Sequence, residues 1–530
     1  MSKLSRFLGG WWSRLSFRQA LCLVLCVGAL NIFSFAPAGF WPLQIAGMAL
    51  LFVLLSQPQV KSVPRRAAWL AWAYSFSWIF SCTSWLLIAM VRYGDLPIPL
   101  AVAALALLSA GLAIYAALSV WCGLWMQRRW RLSDSQLVLI VFPSLWMVNE
   151  WVRGWMMTGF PWSISGYALT HTLLAGFAPL VGVYGLSFLA ALLSGIVAWS
   201  LLSGFNTSRL AFATIGVFLI FGAGATLQKI QWTQAYGKPI SVRLLQGNVE
   251  QDMKFDPEYL NASLELYRTM LTAAPADLIV TPETAFPLLT SMLPQDFLPR
   301  LNAYAQQTGS ALMLGVVVHD GDARYTNSLL GFSPLHAERA YRYDKHHLVP
   351  FGEFVPFGFR WFVHMMNIPL SELSTPDHMQ APMAVRDQFV MPDICYESLF
   401  GEEIAGQLSH QIATQQPVAT ILLNASNLAW YGDSFAMPQH LQFAQMRVLE
   451  TGRPWLGVTN TGSTVVINAD ASMNAQLPYL KKATLESSVQ GYSGTTPYIF
   501  WGNRGILGLV FFILLITCWF SQRAARKSHH

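Results

Sequence analysis

The chain has 530 residues, 54% of them hydrophobic and only 11% charged, with a mean hydropathy of +0.40. A soluble domain carries roughly 25% charged residues, so the composition excludes a wholly water-soluble protein and indicates a membrane protein with room for one sizeable polar domain. The net charge of +6 is concentrated in short loops and towards the termini, which reads as a topology signal and not as a nucleic-acid surface.

In chain order, Lys3, Arg6, Arg14 and Arg18 precede a first apolar run. The run resembles a signal peptide, but further apolar segments follow and no small-x-small cleavage site appears, so a retained span is expected. A bilayer-crossing helix needs about 20 mostly apolar residues. Spans are expected near 18–35, 40–56, 68–91, 97–126, 136–152, 177–203, 209–228 and 505–521, the fifth interrupted by Pro143. The stretch 153–178 is apolar but broken by Gly and Pro, and reads as an interfacial or re-entrant loop. The 21 tryptophans suit membrane–water interfaces. Lys61, Arg65, Arg66, Arg128, Arg129, Arg131, Arg209, Arg523, Arg526 and Lys527 fall in alternate loops and the C-terminal tail. By the positive-inside rule both termini are then cytoplasmic, and the polar segment between spans seven and eight faces outward, into the periplasm of a bacterium.

The expected domains are 1–228, a transmembrane domain of seven helices; 229–501, the polar domain; and 502–530, an eighth helix with a cytoplasmic tail. Within the polar domain strand-like runs at 241–249, 277–284, 311–318, 325–332, 419–427 and 454–462 alternate with helical patterns at 261–274, 296–308 and 438–452. This predicts a layered α/β domain with helices covering sheet faces.

Cys395, in ICYES, is the one cysteine of the polar segment; the other five lie in apolar runs. A lone cysteine is most often a small buried hydrophobe. An outward-facing domain is oxidising, however, and a single thiol there has no internal disulfide partner, which favours a role in reactivity. Glu283, in VTPETAFP, and Lys345, in YDKHHLVP, likewise end or flank apolar runs. A carboxylate can take a thiol proton, and an ammonium can lower the thiol pKa and stabilise an oxyanion. Taken singly, Glu283 also reads as a turn residue and Lys345 as a solvated lysine. A Cys–His pair using His346 or His347 is a competing arrangement. No metal-ligand spacing, Gly-rich phosphate loop or G-x-S-x-G elbow is visible, and no cofactor or metal is expected.

Glu283, Lys345 and Cys395, within PET, YDKHHLVPFGEFVP and ICYES, resemble the nitrilase (carbon–nitrogen hydrolase) superfamily. With the flanking spans and the runs GFPW (159–162), LLQGNVEQDMKFD (244–256), QHLQFAQMRVLETGRP (439–454) and TNTGST (459–464), the chain is similar to the apolipoprotein N-acyltransferase family. It departs at Phe255, where Trp is commoner, and at Leu428, where the usual Asp is missing from Ser426-Asn427-Leu428-Ala429-Trp430. The resemblance implies an αββα sandwich and a Glu-Lys-Cys triad. Cys395 is the nucleophile that carries an acyl thioester, Glu283 the base, and Lys345 the stabiliser of oxyanion and thiolate. It implies ping-pong transfer of an sn-1 acyl chain from a membrane phospholipid to the α-amino group of a diacylglyceryl-cysteine on an apolipoprotein. Glu353, Tyr396 and Glu397 are supporting candidates, and Phe255, Trp361, Met365 and Trp430 candidates to face lipid. The stretch 357–370 is aromatic and Met-rich, and reads either as a lipid-facing arm or as domain core. The expected setting is the inner membrane of a Gram-negative bacterium, with a monomeric enzyme whose partners are the phospholipid donor, the apolipoprotein and the membrane. Competing readings are a membrane-tethered amidase and a non-catalytic lipid-binding or transport protein.

Overall fold

The computed structural model describes residues 14–527 except 205, 252–256, 322–323, 337–339, 357, 359, 361–371 and 377–378. It divides into two compact units. One comprises the chain up to Ser84, Val102–Ile230 and the chain from Trp501; the other comprises Trp85–Ala101 and Gln231–Phe500.

The first unit is helical. Among the described residues six helices are long and apolar enough to cross a membrane: Phe17–Ser34, Ile98–Trp130, Asp134–Thr158, Leu173–Leu202, Thr207–Leu227 and Arg504–Arg523. Pro64–Cys82 taken with Leu86–Tyr93 makes a seventh, and Pro42–Leu55 is apolar but shorter. Eight crossings are therefore more than length and hydropathy alone support. Pro143 does not end its helix. It lies inside the continuous helix Asp134–Thr158, directly after a π-turn over Leu137–Val141, and such a change of hydrogen-bond register is where a helix accommodates the missing proline N–H. The Gly- and Pro-broken stretch after Arg153 folds as short 3₁₀ turns packed inside the unit. Glu150 anchors it by accepting from Ser165 N–H (3.1 Å) and Oγ (2.6 Å), and Arg153 donates to the Trp162 carbonyl (3.1 Å).

Besides a two-stranded ribbon of Thr233–Ala235 with Tyr492–Gly494, the second unit holds two large sheets. One runs in the order Ala483–Val489, Ile240–Gln246, Leu278–Val280, Ala311–His319, Tyr325–Phe332, Tyr341–Asp344, with Phe286–Leu289 also pairing Ala311–His319. The other runs Met473–Gln476, Val465–Ile467, Trp455–Thr459, Ile421–Ser426, Gln388–Ile394, Met383–Val385. Inward-facing residues of both, among them Val242, Val280, Met313, Ile394, Leu423 and Val458, form one continuous core. The outer faces are covered by helices. Phe297–Thr308 presents Phe297, Leu301 and Ala305, four residues apart and so on one face, to the first sheet. Gly401–Ala413 and Ala436–Thr451 cover the second sheet, the latter ending at Gly452 in the left-handed conformation a C-cap favours. The layers are thus helix, sheet, sheet, helix. Ile421–Ser426, with parallel neighbours on both sides, is buried throughout, its polar Asn424 and Ser426 included.

Trp85–Ala101 packs on the 3₁₀ turn Leu428–Tyr431. Trp85 meets the Tyr431 ring edge-on at 4.2 Å, Tyr93 Oη donates to the Ala429 carbonyl (3.1 Å), and Ile88 lies against Gly432. The sequence expectation gives 85–91 to the third span, 92–96 to the loop that follows and 97–101 to the fourth span.

Candidate active site

Glu283 follows the strand Leu278–Val280, Lys345 follows Tyr341–Asp344, and Cys395 follows Gln388–Ile394. All three lie beyond the carboxyl ends of their strands, where α/β sheets place their ligands. Asn427 and Asn460 occupy the same position after Ile421–Ser426 and Trp455–Thr459.

Lys345 is 1% exposed. Its Nζ lies 2.8 Å from Glu353 Oε1 and 3.3 Å from Glu283 Oε1. Asn327 Nδ2 donates to both carboxylates, at 2.7 Å to Glu283 and 3.0 Å to Glu353. The remaining oxygens are satisfied by backbone: Asn427 N–H on Glu283 Oε2 (2.9 Å) and Val349 N–H on Glu353 Oε2 (2.8 Å). Burial opposes the lysine's charge, but Glu353 and Glu283 outweigh it and hold its pKa well above the usual value. A fixed cation thus sits between two carboxylates.

Cys395 is half-buried and adopts φ +55°, a left-handed conformation that costs a non-glycine residue about 1–3 kcal/mol unless its surroundings enforce it. Three donors hold its carbonyl: Ser398 Oγ (3.0 Å), Asn424 Nδ2 (3.2 Å) and the His440 ring. His440 is held neutral, its pKa pushed down to about 4 by burial. The turn presents the sulfur to Glu283, Lys345 and the Asn427 N–H. The thiol pKa is raised by burial first and by Glu283 second, against the pull of Lys345. An ammonium alone would lower it, as the residue types suggest, but desolvation dominates here. The resting sulfur is a neutral thiol, and a base must take its proton when it attacks.

Glu397 is 1% exposed and accepts from the N–H groups of Ile394 (2.6 Å), His346 (2.8 Å) and His347 (3.1 Å), and from Tyr343 Oη (3.0 Å). The Tyr396 ring packs edge-on against His347 (5.7 Å) and Phe400 (5.2 Å). His346 lies 2.8 Å from Glu403 through Nε2 and 2.5 Å from Glu397 through Nδ1; His347 Nδ1 lies 2.8 Å from Glu403. Carboxylates, rather than the thiol, thus take up both nitrogens of His346. Trp430 is half-buried, edge-on to Tyr93 at 5.3 Å. Phe255, Trp361 and Met365 lie outside the described residues, as does nearly all of 357–370. Among the described residues no group of three or more His, Cys, Asp or Glu is placed to hold a metal ion.

Sequence reasoning missed Asn327, Asn427, Glu403 and His440. Asn327 carried a usable signal, being an amide inside the otherwise strand-like YTNSLLGF. The others did not, because their roles come from pairing across elements 45 to 144 residues apart.

Residues 27–196 match the family model described as apolipoprotein N-acyltransferase N-terminal domain, and residues 241–498 the one described as carbon-nitrogen hydrolase. The chain is 46% identical over 514 residues to an apolipoprotein N-acyltransferase of Ralstonia nicotianae, covering 97% of this chain and 95% of that one. It is 38% identical over 502 residues to an apolipoprotein N-acyltransferase of Nitrosomonas europaea, covering 93% and 96%. Among solved structures, an amidase from Nesterenkonia sp. is 15% identical with a TM-score of 0.37, over 53% of this chain and 98% of that one.

Proposed function

The chain belongs to the apolipoprotein N-acyltransferase family and is an enzyme of lipoprotein N-acylation; from that premise we propose that Cys395 carries the acyl chain between a phospholipid donor and the lipoprotein amine. In the first half-reaction Glu283 takes the thiol proton as sulfur bonds to the sn-1 ester carbonyl carbon. The oxyanion forms beside the Lys345 ammonium. It collapses with cleavage of the ester C–O bond, and the departing lysophospholipid oxygen takes the proton back from Glu283. In the second half-reaction the α-amino group of the diacylglyceryl-cysteine attacks the thioester carbonyl and gives its proton to Glu283. The C–S bond breaks, an amide remains, and the thiolate is reprotonated. Glu353 keeps Lys345 oriented, and Glu397 orders the turn around the thiol.

The observation that carries this reading is the buried Lys345 ammonium, fixed by two carboxylates on the side where Cys395 is presented on its left-handed turn. A permanent positive charge in a poorly solvated site is worth most where an oxyanion develops.

The chain crosses the membrane eight times in this proposal, Pro42–Leu55 and Pro64–Tyr93 completing the six longer helices. Its polar unit is periplasmic, both termini are cytoplasmic, and the enzyme is a monomer in a Gram-negative inner membrane. Trp430 faces lipid. The test is mass spectrometry of the purified protein incubated with phospholipid labelled in the sn-1 chain. A labelled adduct on Cys395, removed by hydroxylamine and absent from Cys395→Ser, is expected. Amide hydrolysis without any adduct would mean a tethered amidase instead.

A further inference from the structure

The His346–His347 pair is not used in this chemistry, yet its surroundings are built. Lys345 and Cys395 leave different sheets, so hydrogen bonding within a sheet does not set the distance between them. One carboxylate does bridge the two strand ends. Glu397 accepts from the N–H just after Lys345 and from the N–H just before Cys395. A buried anion in that place needs a compensating charge. His346 supplies it, its ring spanning Glu397 on one side and Glu403, from the helix Gly401–Ala413, on the other.

The groups facing the imidazole are Tyr343, whose Oη is 3.2 Å from Nδ1, His347 beside it, Glu397 from the Cys395 turn, Asp393 from the preceding strand and Glu403. Burial disfavours charge on His346, but Glu397 and Glu403 prevail and raise its pKa to about 10 from an ordinary 6.5. Asp393 is held protonated by burial and by Glu397. His346 is therefore an imidazolium throughout the physiological range.

We infer that His346 and Glu403 are positioning residues: with Glu397 they clamp the two sheets together and set the separation of the Lys345 ammonium from the Cys395 sulfur. The inference rests on Cys395 being the acylated thiol. The sign follows from the raised value. The clamp is complete below about pH 6.5 and is lost as pH rises through about 10, so acylation of Cys395 declines on that limb. Lys345, whose pKa lies well above its usual value, stays charged over the same range.

The experiment is single-turnover acylation of the full-length protein in detergent–phospholipid micelles across that pH range, read as adduct on Cys395. His346→Asn should slow acylation on the order of ten- to a hundredfold, since a misplacement near 1 Å at a reacting centre costs up to about 10²-fold. Glu403→Gln keeps an acceptor for Nε2 but removes one charge, and should move the alkaline limb down by about one pH unit. If His346→Asn does not fold, the Glu403→Gln profile decides alone. A Glu403→Gln profile superimposable on the parent overturns the clamp. Absence of adduct on Cys395 in the parent overturns instead the reading on which it rests.

Discussion

Replacing Lys345 by Met isolates what the lysine does for the fold. The side chain is 1% exposed, and methionine fills nearly the same volume, so lost packing is minor. What remains is Glu283 and Glu353 facing one another across the Asn327 amide, with side-chain exposures of 8% and 13% and no cation between them. Removing one partner of a buried ion pair costs about 3–5 kcal/mol. In a unit of this size that lowers the thermal midpoint on the order of 10 °C. Two such carboxylates cannot both stay ionised, so in the variant one takes up a proton on folding. The folded variant then binds more protons than the unfolded chain, and its stability falls as pH rises. In the parent, the raised pKa of Lys345 makes its contribution fully present below the unfolded-chain value of 10.5 and lost only above it. The assay is thermal unfolding in detergent at about pH 5 and about pH 8. Lys345→Met should lose more at the higher pH, and Lys345→Met/Glu353→Gln should regain over half of the loss. A variant unfolding within about 1 °C of the parent at both pH values would sink the argument that Lys345 neutralises a buried pair.

Glu397→Gln should cost about 3–5 kcal/mol by chemical unfolding, because an amide nitrogen would face backbone donors that now meet an acceptor. Asp393→Asn, by contrast, should cost under about 1 kcal/mol, the parent carboxyl already being neutral; equal losses in the two would contradict these charge assignments. Burial works against the Glu397 anion, but His346 and the backbone donors lower its pKa below 4.5, so its contribution is present above that value and lost as pH falls through the folded-state value. At Gly315 an added Cβ would lie 2.1 Å from the Pro282 carbonyl oxygen and 2.8 Å from Thr284 N. Gly315→Ala should therefore displace Glu283, costing about 1–3 kcal/mol and slowing acylation, as read by unfolding and adduct formation. Unchanged acylation there would mean that Glu283 tolerates the shift.

The long apolar helices were legible because hydropathy summed over a span outweighs any single residue. Expected spans at 18–35 and 505–521 meet helices at Phe17–Ser34 and Arg504–Arg523. The third failed at its end, where the chain leaves the helix after Cys82 while its composition stays apolar. In the polar unit the central strands read well, Tyr325–Phe332 to the residue. Short strands at or next to the sheet edges, such as Met383–Val385, Val465–Ile467 and Met473–Gln476, did not, being too brief to show a period. Helix Gly401–Ala413 went unnoticed beside the ICYES turn. The three reactive residue types stood out as costly groups beside apolar strands. Their partners did not, because Asn327 and Asn427 become meaningful only once the two sheets are packed together.

The membership of Trp85–Ala101 in the polar unit bears on how that unit is made and how it can be isolated. Its first piece leaves the ribosome about 130 residues before the rest, and Trp85 and Tyr93 must wait through most of the helical segments for their partners on the Leu428–Tyr431 turn. A fragment excised at residue 229 would uncover Tyr431 and the Ala429 carbonyl, two residues from the Asn427 N–H that holds Glu283. The polar unit is therefore not a cassette that one cut can release.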